Sequence, residues 1–253
     1  MRFVRFRTEQ GPRYGLVDGD TVLEIEGDPI DGFATNGRTL ALAGLQLLPP
    51  TEPSKVLAIG RNYLEHIREG GREIPESPIV FLKAPSCLIG HGESIVLPVQ
   101  SDKVAWEGEL VVVFKGRARN IEPEEAADYI LGYTIGNDVS AKDLQFKDNQ
   151  WMRAKSFDTF GPVGPWIETD LDTSDLKLET RVNGRVKQSA RTSQMMHDVP
   201  YLVSYISKAM TIMPGDLLFT GTPAGVEPVL KAGDVVEVEI EGIGTLRNPV
   251  VAS

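Results

Sequence analysis

Apolar positions in the first fifty residues come in short alternating bursts, at Phe3, Phe6, Tyr14, Leu16, Val17, Val22 and Leu23, broken by Gly-Pro and Asp-Gly pairs. Period-two alternation punctuated by turn residues predicts strands with one buried face, and so a small β-rich unit that Leu47-Leu48-Pro49-Pro50 closes. From Lys55 onward the pattern changes to short unbroken apolar runs, Lys55 to Gly60, Ile79 to Lys83 and Leu110 to Phe114, each bounded by Gly or Pro. Runs of this length with such boundaries predict strands covered on both faces. Two segments keep a helical period instead. One runs from Glu122 to Tyr133, with Pro123 and acidic residues in its first turn; the other runs from Asp198 to Met210, with Asp198 as cap and Pro200 early. The tail adds a strand through Leu217-Leu218-Phe219 and another through Val235 to Ile240, turning at Glu241-Gly242-Ile243-Gly244. The sum is a mixed, β-dominated α+β fold, with a small N-terminal domain over 1–53 and a larger domain over 54–253. No internal repeat or low-complexity tract is present.

Composition narrows the function classes. The chain has 253 residues, 41% of them hydrophobic, which suffices for a full core. Its net charge is −10, and its basic residues are scattered, which argues against nucleic acid or an anionic membrane as partner. An anionic substrate would then need a locally positive site. No apolar run reaches bilayer-spanning length, and Met1 to Phe6 lacks the apolar stretch of a signal peptide, so a cytoplasmic location is expected. The single cysteine, Cys87, fits a reducing compartment and reads as a small buried hydrophobe.

Candidate chemistry concentrates between Arg61 and Lys155. Glu107 and Glu109 stand two apart at the mouth of the apolar strand Leu110 to Phe114, so both carboxylates point to one face. Like charges this close, beside a hydrophobic strand, push one carboxyl pKa upward unless a cation sits between them. Asp138 follows the strand-like Tyr133 to Asn137, and three hard oxygen donors with water filling the remainder describe a magnesium or manganese site. No His or Cys lies near these acids in sequence, which disfavours zinc. Taken alone, Glu-Gly-Glu describes a solvated strand edge at least as well.

The order of motifs changes that weighing. Gly60-Arg61-Asn62-Tyr63 with His66, Phe81-Leu82-Lys83, Glu107 and Glu109, Gly136-Asn137-Asp138, Asp143-Leu144-Gln145, Lys155-Ser156-Phe157-Asp158 and Thr220-Gly221-Thr222-Pro223 follow one another along the chain. Over roughly residues 54 to 250 this resembles the fumarylacetoacetate hydrolase family, and its short-chain members in particular: acylpyruvases, oxaloacetate decarboxylases and the isomerase/decarboxylase of homoprotocatechuate breakdown. The resemblance implies a β-sandwich roll, a homodimer, and Mg2+, with Mn2+ or Ca2+ as substitutes, held by Glu107, Glu109 and Asp138. It also implies a catalytic dyad of His66 and Glu69 on a closing helix, with Lys155 stabilising developing negative charge. Arg61, Tyr63, Lys83, Gln145 and Thr222 would contact the substrate or support the metal shell. Lys142 stands where many relatives carry arginine, which puts a two-point carboxylate contact there in question.

The substrate implied is a small 2-oxo-carboxylate or diacid, cleaved at a carbon–carbon bond through an enolate. Decarboxylation of oxaloacetate, or isomerisation of 2-hydroxyhepta-2,4-diene-1,7-dioate in aromatic catabolism, would pass through the same intermediate, so the metal motif does not choose among them. A catalytically idle relative that binds metal and diacid is the reading from a different class. A nucleotide-binding enzyme is disfavoured because no glycine-rich phosphate loop joins a strand to a helix.

Overall fold

The computed structural model describes residues 1–253 and is built on one long mixed sheet. In spatial order its strands are Gly32–Ala41, Thr21–Asp28, Gly11–Asp18, Arg2–Thr8, Gly161–Glu168, Ile130–Asn137, Gly108–Phe114, Leu217–Phe219, Val56–Gly60 and Ile79–Lys83, with the short Leu88–Ile89 beside Gly161–Glu168. A second sheet holds Arg185–Arg191, Lys177–Val182, Val235–Ile240, Gly244–Ala252 and Ile95–Leu97. Strands dominate and helices are few, as the apolar pattern predicts.

The strand Gly108–Phe114 is buried at every position, which explains its unbroken run of Leu, Val and Phe. Leu110, Val112 and Phe114 belong to a core shared with Leu202, Val203 and Ile206 of the helix Val199–Ala209 and with Leu178, Val238 and Ile240 of the second sheet. Val111 and Val113, on the opposite face, pack with Val56, Ala58, Phe219, Phe3 and Ile25. The N-terminal strands therefore extend the same sheet: Arg2 is in register with Glu168 and Phe3 with Ile167.

One helical expectation is corrected. The period read from Glu122 to Tyr133 yields only a 3-10 turn at Pro123–Glu125 and a single turn at Ala126–Tyr129, after which the chain runs on as the strand Ile130–Asn137. Pairing decides this, because Ile130–Asn137 lies between Gly108–Phe114 and Gly161–Glu168 and satisfies both ladders. The other helix forms as expected over Val199–Ala209, where an Asp198 Oδ1 cap accepts the Tyr201 N–H at 2.9 Å. No helix is long and apolar enough to cross a membrane.

Candidate active site

The central strand delivers its acids at the end where it meets Ile130–Asn137. Gly108 is in register with Asn137 and Glu109 with Gly136, so Asp138, one residue further, arrives beside both glutamates. Backbone bonds fix this junction: the Asp138 N–H donates to the Glu107 carbonyl at 2.8 Å, and the Glu107 N–H to Asn137 Oδ1 at 2.9 Å. The glycine between the glutamates is dictated by packing, because a Cβ on Gly108 would lie 2.2 Å from Thr180 Oγ1 and 2.9 Å from Val238 Cγ1. Glu107, Glu109 and Asp138 each bring a carboxylate oxygen within 4.8 Å of the other two, and all three are buried.

Three lysines pair with two of the three acids, Glu107 and Asp138. Lys83 donates to Asp138 Oδ1 at 2.6 Å, to the Phe160 carbonyl at 3.1 Å and to the Lys155 carbonyl. Lys155 donates to Glu107 Oε2 at 2.9 Å, to Ser140 Oγ at 2.8 Å and to Asp138 Oδ2. Lys142 pairs with Glu107 Oε1. An ammonium has three donors, so Lys83 and Lys155 are fully committed to protein acceptors. Lys83 consequently sits as a support for Asp138, and Lys142 turns inward to an acid.

Glu109 stands apart. It accepts the Gly221 N–H at 2.7 Å and makes no ion pair. Burial and its neighbours Asp138 and Glu107 hold its carboxyl well above the usual range. Burial pushes Glu107 the same way, yet the ammonium groups of Lys142 and Lys155 outweigh it and hold that carboxyl low. A buried carboxylate facing two others without a cationic partner is a costly arrangement that one hard divalent cation resolves, and an all-oxygen donor set suits magnesium or manganese better than zinc. The residues present therefore fit a divalent ion.

The helix Leu64–Glu69 covers this cluster. His66 and Glu69 share a face, as their spacing predicts, but His66 Nδ1 stands 3.9 Å from Glu69 Oε2, beyond hydrogen-bond reach. Glu69 Oε2 instead accepts the Gly225 N–H at 3.0 Å, and His66 Nδ1 has no partner. Burial, followed by the opposing pull of the Glu107 carboxylate, sets the imidazole's pKa, with a net lowering that leaves it neutral at physiological pH.

Of the remaining expected residues, Arg61, Gln145 and Thr222 fall around one small cavity, and Tyr63 does not line it. Arg61, His66, Glu107, Gln145, Lys155 and Thr222 line it, together with Lys142, and the free space measures about 20 Å³, room for about one water. Thr222 is committed locally: its hydroxyl donates to the Gly108 carbonyl at 3.0 Å and accepts from Gln188 Nε2 at 2.9 Å. Gln145 Oε1 and the Tyr63 hydroxyl are buried without partners. Burial and the nearby Glu109 raise the Tyr63 pKa. Two lining residues give no signal in the sequence, Arg72 beyond the covering helix and Trp151 ahead of Lys155. A roomier groove of about 710 Å³ between Asp172 and Tyr201 shares no residue with the acids.

Comparison with known proteins identifies the family of the chain. The fumarylacetoacetate hydrolase C-terminal family model matches residues 55–251, and the Rv2993c-like N-terminal model matches residues 1–50. The chain is 47% identical to the solved structure of 5-carboxymethyl-2-hydroxymuconate delta-isomerase from Mycobacterium smegmatis, with a TM-score of 0.93 and full coverage of both chains. It is 30% identical, at a TM-score of 0.84 and again over the whole of both chains, to maleylpyruvate hydrolase from Sphingobium sp. SYK-6, solved with manganese(II) and pyruvate. It is 40% identical to the mitochondrial oxaloacetate tautomerase fahd2 of Xenopus laevis, covering 92% of this chain and 76% of that one. The chain belongs to the fumarylacetoacetate hydrolase family.

Proposed function

We propose that this chain is a divalent-metal-dependent hydrolase that cleaves the carbon–carbon bond of acylpyruvate-type 2-oxo acids. The observation that carries this reading is the buried acid triad, in which Glu109 has no ion pair and Glu107 lines a small cavity together with His66. Glu107, Glu109 and Asp138 would hold magnesium or manganese, which would polarise the carboxylate and keto oxygens of a bound 2-oxo acid. Lys83 keeps Asp138 in place, and Lys142 keeps Glu107 in place. Lys155, between Glu107 and Asp138, supplies positive charge where negative charge develops on the substrate's keto oxygen. His66 Nε2, on the far side of the ring from Glu69, takes a proton from water, and Glu69 tied to Gly225 orients the covering helix. With room for about one water in the closed cavity, the helix must lift to admit substrate and then shut out bulk water.

A second reading has specific support in the 47% identical isomerase and the 40% identical tautomerase. In it, His66 removes and returns a proton on an unsaturated or 2-oxo diacid, and no bond of the carbon skeleton breaks. The two readings use the same residues and differ in product. The test is a panel of acetylpyruvate, fumarylpyruvate, oxaloacetate and a hydroxymuconate-type diacid, assayed with Mg2+ or Mn2+ and with chelator. Pyruvate and a carboxylic acid formed only with metal are the expected result. Isomerised or tautomerised product alone would select the second reading, and turnover of none, or turnover indifferent to chelator, would overturn both.

A further inference from the structure

We propose that a groove on the second sheet, between the strand pair Lys177–Val182 and Arg185–Arg191 and the segment 225–234, binds a small polyanion through Arg185, Lys187 and Lys231, and that its occupancy steadies the helix Leu64–Glu69 over the acid triad. The site is regulatory and stands apart from the chemistry, for the groove shares no lining residue with the cavity beside the acids.

The groove encloses about 480 Å³, within the range of small-ligand sites. Its charge runs against that of the chain. The protein carries 36 acidic residues to 26 basic ones, yet Arg185, Lys187 and Lys231 line this groove against one acid, Asp234. That acid is committed to its own turns: Asp234 Oδ1 accepts Asn183 Nδ2 at 2.8 Å, and Oδ2 accepts the Lys231 N–H at 2.8 Å. Arg185 and Lys231 make no ion pair, and Lys187 has only Glu227, at 3.1 Å on the exposed rim. Exposed pairs of that kind hold weakly and yield to a competing anion. A positive concavity in an acidic protein focuses its field on anions, and a guanidinium with two ammonium groups around it matches a ligand bearing more than one phosphate or carboxylate. The buried Trp106 ring supports one wall, with the Lys187 ammonium 5.8 Å from its centre.

The backbone links this groove to the covering helix. Thr180 is in register with Gln188 and Arg181 with Val186, so the ladder skips Lys187, and a bulge of this kind re-aims the side chain and carbonyl it carries. The Lys187 carbonyl is thereby set against Gly225, where a Cβ would stand 2.0 Å from that oxygen and φ is 95°, a position open to glycine alone. The same glycine is held twice more: its carbonyl accepts Trp106 Nε1 at 3.1 Å, and its N–H donates to Glu69 Oε2 at 3.0 Å. A polyanion that joins Lys187 and Arg185 on the strand to Lys231 on the segment braces one against the other. It thereby fixes the Gly225 peptide where Glu69 meets it.

The test is calorimetry on metal-free protein at low ionic strength with two probes, inorganic pyrophosphate and citrate. At least one should bind with a Kd below about 1 mM and weaken as salt is raised. Arg185→Gln and Lys231→Gln should each weaken binding about 10-fold or more, whereas Arg72→Gln, in the cavity beside the acids, should leave it unchanged. Binding of pyrophosphate alone, of citrate alone or of both assigns the site to phosphates, to polycarboxylates or to charge irrespective of group. With probe bound, amide hydrogen exchange in Leu64–Glu69 should slow in the wild type and not in Trp106→Phe, which lacks the N–H that holds Gly225. The inference is overturned by absence of binding at millimolar probe, by binding that Arg185→Gln and Lys231→Gln leave intact or that Arg72→Gln removes, or by exchange in the covering helix that the probe does not change.

Discussion

Replacing Glu109 by glutamine separates what the acid triad does for function from what it costs the fold. The carboxylate oxygens of Glu109, Glu107 and Asp138 lie within 4.8 Å of one another, and at an effective dielectric of about 20 each such like-charge pair repels by about 3.5 kcal/mol. Part of this is offset by Lys155 and by the Gly221 N–H, and protonation of the acid caps the remainder. A glutamine of the same shape removes the repulsion, keeps an oxygen for Gly221, and offers an amide N–H to the neighbouring carboxylates. In chelator the variant should therefore be more stable than the wild type by about 1 to 3 kcal/mol, which for a chain of this size raises the melting temperature by about 3 to 10 °C. With Mg2+ or Mn2+ the order should reverse, because the wild type gains from metal binding and the variant does not. The assay is a pair of thermal melts, in chelator and in millimolar metal. A variant that melts lower than the wild type in chelator and gains as much from metal would refute the reasoning.

Three further outcomes follow from the same geometry. Lys83→Met removes the 2.6 Å partner of Asp138 Oδ1 and leaves Lys155 as its remaining countercharge, so the melting temperature in chelator should drop by the equivalent of about 1 to 3 kcal/mol, and metal should recover part of it; an equal loss with and without metal would contradict the assignment. Gly108→Ala drives a methyl group against Thr180 and Val238, so it should cost about 1 to 3 kcal/mol and weaken Mn2+ binding although it alters no ligand; unchanged Mn2+ affinity would show that the strand's position does not set the site. The lowered pKa of His66 predicts that kcat/KM holds at neutral pH and falls on acidification only below the ordinary histidine value of 6.5. The unfolded chain takes up that proton first, so acid weakens the fold over the same window. His66→Gln should abolish this acidic limb, and a limb that persists would assign it to another group.

The acid triad is partly legible in the sequence because strand alternation places residues two apart on one face, and that alone pairs Glu107 with Glu109. Asp138 joins them only through the order of motifs, since its approach depends on a strand register that no local pattern encodes. The same long-range pairing overrides the helical period across Ile130 to Tyr133. It also joins the N-terminal strands to Gly161–Glu168, a contact between residues more than 150 positions apart. Lysine countercharges carry no local signal: only the order of motifs singles out Lys83 and Lys155, and their pairing with the acids emerges once burial shows each one fully hydrogen-bonded. Arg72 gives no local signal because nothing in Glu69-Gly70-Gly71-Arg72 shows that the chain beyond the helix Leu64–Glu69 returns to line the cavity.

The central claim is that Glu107 and Glu109 of one strand and Asp138 from the end of the next hold one divalent ion, and a direct titration of Mn2+ by electron paramagnetic resonance tests it. The wild type should bind one ion per chain, and Asp138→Asn should abolish that binding while the fold, followed by circular dichroism, is retained. A wild type that leaves millimolar Mn2+ free, or an Asp138→Asn variant that binds as the wild type does, would contradict the account.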